Sequence, residues 1–371
     1  MNNAHIISIG SLASFSRGLT YSRSDEVDYS SNVVLRSNNI DLATNTLNYD
    51  ELKYISDAIV IPNDKKLQRN SIFMCMSNGS KQHLGKVAFI DRDYPYAFGG
   101  FMGLIKPKED IIIPKLLYYY FCSSKFKGFL SSIGNGANIN NIKFVDIAKD
   151  YISVPEKTTQ QSIIEELDKI NELIRLKKEQ LKDYDNLAQS IFYEMFGDPV
   201  VNEKGWEVKK FADLYKLKSG DSLSTKNFVE GEIPVYGGNG ISGYHNDFNM
   251  DGDFIIIGRV GVYCGNVREV HGKFWLTDNA FQLFYNREIQ YPCFIHYLLE
   301  ILDLHKYANA AAQPVISNLT LKDVEIIIPP LSLQQLFAQR IELIEKQKEE
   351  VQRTIKDLET LLASRMQYWF D

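Results

Sequence analysis

Two stretches of this 371-residue chain carry an apolar residue alternately every four and three positions for more than four heptads, and they lie 174 positions apart. The first runs through Ile163, Leu167, Ile170, Ile174, Lys177, Leu181, Tyr184, Ala188, Ile191 and Met195. The second runs through Phe337, Ile341, Ile344, Lys348, Val351, Ile355, Leu358, Leu362, Arg365 and Trp369. Nine of the first ten and eight of the second ten are apolar or aromatic, and the intervening residues ("KEQ", "EKQKEE") are charged. A seam this narrow on a charged helix is the pattern of a coiled coil rather than of a core helix, which needs a wider apolar face.

Both stretches begin after a proline-bearing apolar run, "YISVP" and "IIIPP", and open with a Gln pair, Gln160–Gln161 and Gln334–Gln335. Thr158 with Gln161, and Ser332 with Gln335, have the spacing of a capping box. The Gln pairs are assigned to capping and packing rather than to reading a ligand. The first helix is expected to stop at "FGDP", with Gly197 in a left-handed C-cap and Pro199 barring continuation. About 38 residues at about 1.5 Å each give a rod of about 57 Å. The first helix delivers the chain from one globular unit to the next, so a second helix that pairs with it runs back, and the pair is antiparallel. The fold class expected is α+β with boundaries at 1–155 (first globular unit), 156–198 (first helix), 199–329 (second globular unit) and 330–371 (second helix).

The repetition extends upstream of the helices. "IGSLASFSRG" (Ile9–Gly18) matches "FADLYKLKSG" (Phe211–Gly220), and "NSIFMCMSNGSKQHLGKV" resembles "GDFIIIGRVGVYCGNV". "IPKLLYYYF" resembles "YPCFIHYLL", and "NNIKFVDI" (Asn140–Ile147) aligns with "SNLTLKDV" (Ser317–Val324) at an offset of 177, three residues being lost before Pro155 and Pro329. Their common order marks a tandem duplication of one unit, globular part then helix. Short β-rich runs separated by Gly, Asn, Asp and Ser clusters, followed by one or two helices, make each globular part α+β with long polar loops.

Composition bounds the chemistry. Apolar content of 44% excludes a disordered chain. Cys75, Cys122, Cys264 and Cys293 are dispersed and form no CxxC pair, as expected of buried thiols in a reducing compartment. The start "MNNAHIISIG" lacks a basic segment followed by a long apolar one, so a cytoplasmic, soluble protein is expected. Net charge is −6, distributed as +3, −4, −4 and −1 over the four segments, so only the first unit leans basic. A nucleic-acid binder of this balance would use local patches or share a partner's basic surface.

Catalytic signatures are missing. Gly238, Gly240 and Gly243 spell GxGxxG, but a dinucleotide site needs a helix to start there, and a turn sequence follows; a mobile glycine-rich loop is expected instead. The Glu-x-Lys pairs Glu51/Lys53 and Glu207/Lys209 do not follow an acidic strand end. The sequence contains no GxxxxGK[ST], HExxH, GxSxG or Asn/Asp-Pro-Pro-aromatic motif. The six histidines, His5, His83, His245, His271, His296 and His305, form no constellation. No catalytic residue, cofactor site or metal site is assigned to this chain.

The order of globular unit, "P…QQ" helix (Pro155, Gln160, Gln161; Pro329, Gln334, Gln335), "FGDP" with Trp206 shortly after, "FADLYKLKSG" and "IPVYGG" resembles the DNA-specificity subunit of Type I restriction-modification enzymes across essentially the whole chain. The first unit departs from the pattern, with no Trp near its start and "NVVLRSNNI" where the second has "IPVYGG". The resemblance implies two target-recognition domains, each reading one half of a bipartite asymmetric double-stranded DNA site. It implies an antiparallel coiled coil that fixes the spacer and docks two methyltransferase subunits, in an assembly with restriction/translocase subunits. It places S-adenosylmethionine on the methyltransferase, which modifies adenine, and ATP with Mg on the motor subunit, leaving this chain non-catalytic.

Base edges are read by bidentate donors and acceptors on loops, while Lys, Ser and backbone N–H groups hold phosphates. In the first unit the candidates are Arg17, Thr20, Tyr21, Arg23, Arg36, Asn38, Asn78, Ser80, Lys81, Gln82, His83 and Lys86. In the second they are Lys218, Ser222, Lys226, Tyr236, Asn239, Ser242, Tyr244, His245 and Arg259. A solvated loop residue is the competing reading for each, and a coiled-coil scaffold that never touches DNA is the competing reading for the chain.

Overall fold

A computed structural model describes residues 4–133, 141–309 and 313–371. The chain divides into two compact units, one comprising residues up to Lys177 together with Thr354–Asp371, the other Lys178–Arg353. Each unit therefore holds one end of each long helix.

The first unit contains β1 (His5–Ser8), β2 (Ala13–Arg17), β3 (Glu26–Val27), β4 (Asn32–Leu35), β5 (Lys53–Ile55), β6 (Ser71–Cys75), β7 (Val87–Ile90), β8 (Ala97–Phe98), β9 (Met102–Pro107) and β10 (Tyr151–Val154). They form sheets in the orders β2-β9-β6-β7 and β3-β5-β4-β8, with β1 and β10 as a separate antiparallel ribbon. β6 explains the unbroken apolar run of its sequence. Ile72 and Met74 face a core shared with the helix Pro114–Cys122, whereas Phe73 and Cys75 face the core under β4 and β8. A strand buried on both faces has no polar side to alternate with.

The second unit repeats this plan with β11 (Glu207–Lys210), β12 (Lys216–Ser219), β13 (Ile233–Gly237), β14 (Gly240–His245), β15 (Met250–Gly258), β16 (Val267–Leu276), β17 (Ala280–Phe284) and β18 (Glu325–Ile328). Its main sheet has the order β12-β17-β15-β16-β13-β14, and β11 pairs with β18 as β1 does with β10. Ile255 and Ile257 of β15 face the core beneath the helix Pro292–Ile301, and Ile256 faces the opposite side.

The long helices run Lys157–Phe196 and Leu331–Phe370, 40 residues each, or about 60 Å. Every apolar seam residue is buried or half-buried. Within the second unit Asp185 meets Lys348 at 2.8 Å and Glu194 meets Arg340 at 3.8 Å, so one number falls as the other rises and the pairing is antiparallel. Within the first unit Ile163, Ile164 and Leu167 share a core with Met366 and Phe370. There Glu166 takes both the Arg365 guanidinium and the Trp369 indole N–H (2.9 Å), and the bond to Arg365 holds its carboxyl below the usual range. Lys348 and Arg365, which interrupt the apolar pattern, are thus paired across the seam.

The first helix ends as its sequence predicts. Gly197 has φ +77°, and the Trp206 indole donates to the Phe196 carbonyl at 2.8 Å, supplying a partner for one of the orphan C-terminal carbonyls.

Two details differ from the sequence reading. The helices begin one residue before Thr158 and Ser332, so these hydroxyls lie inside the first turn and do not cap it; Gln161 donates to Glu165 on the next turn. The glutamines that matter are Gln160 and Gln334, 1% and 0% exposed. Gln160 Oε1 accepts from the Ile113 N–H (2.8 Å) while its amide donates to the Ile111 and Pro155 carbonyls; Gln334 repeats all three bonds with Tyr291, Ile289 and Pro329. Each clamps the start of a core helix, Pro114–Cys122 or Pro292–Ile301, to the foot of a long one.

The second difference is the alignment of "NNIKFVDI". The backbone bonds Ile142→Met76 and Ile316→Arg259 are equivalent, as are Ile9→Asp150 and Phe211→Val324. The offset is therefore 174 from Ile142 onward, not 177 with a three-residue loss, and Asn140 lies outside the described residues.

Candidate nucleic-acid interface

In the first unit the ends of β2, β4 and β6 meet at the turn Gly99–Met102. Gly99 N–H donates to the Leu35 carbonyl (2.9 Å), Met102 N–H closes the turn on Gly99 (2.8 Å), and the Phe101 carbonyl accepts from Met76 (3.0 Å). Leu19 N–H donates to Phe98 (2.7 Å) and Gly18 N–H to Met102 (3.2 Å). In the second unit all five bonds recur: Thr277 to Tyr236, Ala280 to Thr277, Arg259 to Asn279, Asp221 to Leu276 and Gly220 to Ala280. Gly18 and Gly220 are required here by close backbone approach. A Cβ at Gly18 would stand 2.1 Å from the Gly99 carbonyl oxygen, and one at Gly220 would stand 2.2 Å from that of Leu276.

This hub gathers loops that carry most of the first-unit candidates. Arg17 ends β2, and Thr20, Tyr21 and Arg23 follow it. Thr20 lies against Gly100 and Arg36 against Gly99, their side-chain atoms 3.3 and 3.8 Å from where a Cβ at each glycine would stand. Asn78 donates to Ser37 (2.9 Å) and accepts from Ser80 N–H (2.8 Å), tying the loop after β6 to the loop after β4. Burial, then Glu26, raise the Tyr21 phenol pKa, with Arg36 and Lys53 opposing. Asn38 is exposed and donates to Glu51, and Gln82 is exposed. His83 is half-buried with Nδ1 lacking a partner, and the side chain of Lys81 lies outside the described residues. Lys65, missed in the sequence because it sits in an unremarkable "NDKK", donates to the Arg17 carbonyl (2.9 Å) and adds a cation beside the hub.

Lys86 does not face the hub's solvent side. It is buried and donates to the Ile40 carbonyl (2.8 Å), and burial lowers its pKa against the pull of Cys75 and Asp41.

In the second unit Arg259 bridges the hub, donating to Ser219 Oγ and the Asp278 carbonyl at 3.3 Å each while lying over the Phe281 ring. Lys218, Ser222 and Lys226 are exposed on and after β12, and Asn239 is exposed at the β13–β14 tip. Tyr236 packs edge-on against Phe274, and Ser242 Oγ bonds the Val235 carbonyl (3.1 Å). Tyr244 is exposed toward the far end of β14, away from the hub. His245, contrary to the sequence expectation, is buried against Trp275, and its Nδ1 accepts the Val229 N–H (3.0 Å), a structural bond.

The glycine-rich "GGNG" forms a tight hairpin, Gly237 pairing with Gly240 at φ +95°, in place of the mobile loop expected. No helix begins there. Lys53 pairs with Glu26 (2.6 Å) and not with Glu51, whose carboxylate accepts from Asn38, while Lys209 and Glu207 form an exposed ion pair (3.2 Å). Among the described residues no group of His, Cys, Asp and Glu could hold a metal ion, and no helix is long and apolar enough to cross a membrane.

The duplicated hub fits what the comparisons find. The family described as the Type I restriction modification DNA specificity domain matches residues 1–183 and again 203–360. The chain belongs to this family. It is 27% identical over 236 residues to the EcoprrI specificity subunit of Escherichia coli, covering 60% of this chain and 58% of that one. It is 25% identical over 227 residues to the EcoKI specificity subunit of Escherichia coli strain K12, covering 60% and 48%. The chain thus spans about half the length of the curated relatives it matches. Its fold is that of the S subunit from M. genitalium, with a TM-score of 0.57 at 16% identity, covering 100% of this chain and 96% of that one. A chain solved in a study of type I R-M complex assembly and conformational transition gives 0.60 at 15% identity, covering 99% and 97%.

Proposed function

We propose that this chain is the DNA sequence-specificity subunit of a Type I restriction-modification assembly, and that each unit reads one half of a bipartite site. The observation that carries the reading is the hub: five identical backbone bonds support two different sets of loop side chains, as expected of one scaffold turned to two sequences. The antiparallel helices act as the ruler that sets the undefined gap. They also dock two methyltransferase subunits. S-adenosylmethionine is held by the methyltransferase and ATP with Mg by the motor subunit. This chain contributes recognition without catalysis, in the cytoplasm.

The test is to co-express the chain with a cognate methyltransferase subunit and map N6-methyladenine across a genome. One motif with two defined halves and a fixed gap is expected; scattered methylation, or none together with no DNA binding, sinks the reading. Deleting one heptad from both helices is expected to change the gap or abolish methylation while sparing the halves. Altered half-site bases would refute the ruler.

A further inference from the structure

Two aromatic side chains at the hub point largely to solvent. Phe101 is 74% exposed and Tyr263 is 52% exposed. Each is the third residue of a four-residue turn closed by a backbone bond, Met102 to Gly99 (2.8 Å) and Cys264 to Gly261 (3.0 Å). The backbone beneath each ring is fixed. The Phe101 carbonyl accepts from both Met76 and Ser77, and the Tyr263 carbonyl accepts from Asn266 while closing on Gly258, where a Cβ would stand 2.8 Å away.

The turns are not copies of one another. Phe101 corresponds through its carbonyl bond to Asn279, whereas Tyr263 lies in the loop after β15. Each unit thus presents a largely exposed ring at its hub, from a different loop. Single exposed apolar residues are ordinary on a protein surface, as Val60 and Tyr29 are here. What sets Phe101 and Tyr263 apart is a rigid turn beneath the ring and neighbours suited to DNA: Thr20 and Arg36 beside the first turn, Arg259 at the base of the second. A rigid aromatic among such groups is matched by the π-face of a base at an opened step, which neither a phosphate nor a paired base edge supplies.

We propose that Phe101 and Tyr263 are base-stacking wedges, each entering a base step of the half-site its own unit reads. The inference rests on the specificity reading, and its failure is separable from that reading's failure. The test uses the complex with methyltransferase and duplexes carrying the mapped site, with 2-aminopurine placed in turn at adenines other than the methylated one. Wild type is expected to raise fluorescence at one step in each half. Phe101→Ala should abolish the rise in one half only and weaken binding roughly tenfold, with the slope of log affinity against log salt unchanged because no phosphate contact is lost. Tyr263→Ala should do the same in the other half.

Phe101→Trp should keep the signal. Phe101→Leu, apolar without a ring, should lose it, which covers the case in which alanine disturbs the fold. If wild type shows no preference for the mapped site, the specificity reading fails. If wild type prefers it and either alanine variant leaves fluorescence and affinity unchanged, or instead weakens assembly with the methyltransferase, the wedge is overturned.

Discussion

Of the four glutamines in the two "QQ" pairs, only the first of each should matter to stability, and Gln334 offers the sharpest test. Its amide is fully buried and makes three bonds, to Tyr291 N–H (2.8 Å), the Ile289 carbonyl (3.0 Å) and the Pro329 carbonyl (2.8 Å). Gln334→Met keeps the length and strands all three partners. Each unsatisfied buried group costs about 1–3 kcal/mol, and two of the three sites are only partly buried, so a total of about 2–4 kcal/mol is expected. Gln335→Met, one residue on and exposed, should stay within about 0.5 kcal/mol. Gln334→Glu separates polarity from packing. One carboxyl oxygen can still accept from Tyr291, but the other would face two carbonyls and must carry a proton. Its folded pKa is then raised above the unfolded value of about 4.3, so the variant lies nearest wild type below about pH 4 and loses about 1.4 kcal/mol per pH unit above it until the folded pKa is reached. Urea unfolding followed by circular dichroism between pH 5 and 8 reads both effects. Equal costs for the two neighbouring methionine variants, or a Gln334→Glu variant whose deficit does not grow with pH, would refute the clamp.

Two further outcomes are expected. Lys218→Ala and Lys226→Ala should each lower the salt-dependence slope of binding to the cognate duplex by about 1, whereas Lys86→Met should leave the slope alone and lower stability instead, because its ammonium is spent on Ile40. His296 lies between Glu269 (3.6 Å) and Glu300 (3.5 Å); burial alone would lower its pKa, but the two carboxylates more than offset this and raise it to about 9. A raised folded pKa contributes stability that is complete below the unfolded value of about 6.5 and is lost as pH rises toward 9. Thermal unfolding of His296→Gln should therefore approach wild type as pH rises through that window.

The rods were legible because a seven-residue period sustained over 40 residues is a long signal, and chain order alone made them antiparallel. Gly18 and Gly220 were legible as the ends of two matching runs, though not the close backbone approach that demands them. What the sequence hid depends on distant partners. Gln160 cannot be told from Gln161 by inspection, since its acceptors and donor lie up to 49 residues back along the chain. Lys86 and His245 sit in polar, glycine-containing stretches that look like reading loops, and only the folded chain buries them. The misalignment at "NNIKFVDI" has a physical cause too. A slip of three residues is nearly one helical turn, so Ile147 can be matched to Val324 with the apolar pattern intact, whereas the structure equates it with Leu321; the slip would have put exposed Leu319 at the place of buried Ile142.

The offsets between the two copies carry the last step. Gly18 and Gly220 are 202 positions apart, and Gly99 and Thr277 are 178 apart, so the second unit reaches the same hub with 24 fewer residues between these points. From Ile142 to the ends of the helices the offset is 174 without change. Loop length is cheap to vary, since each doubling costs only about 0.6 kcal/mol of closure entropy, and the five hub bonds survive it. A change of one residue in either helix would rotate its seam by about 100° against its antiparallel partner and expose the residues now buried there. The duplication is therefore free to diverge where loops face outward and is held in register where the helices pair. A grafted reading loop should be tolerated at the hub at almost any length that closes, while a single-residue insertion at Leu181 in one helix alone should unfold the seam. Loss of helical circular dichroism on that insertion is expected, and a fully helical, stable variant would contradict the register argument.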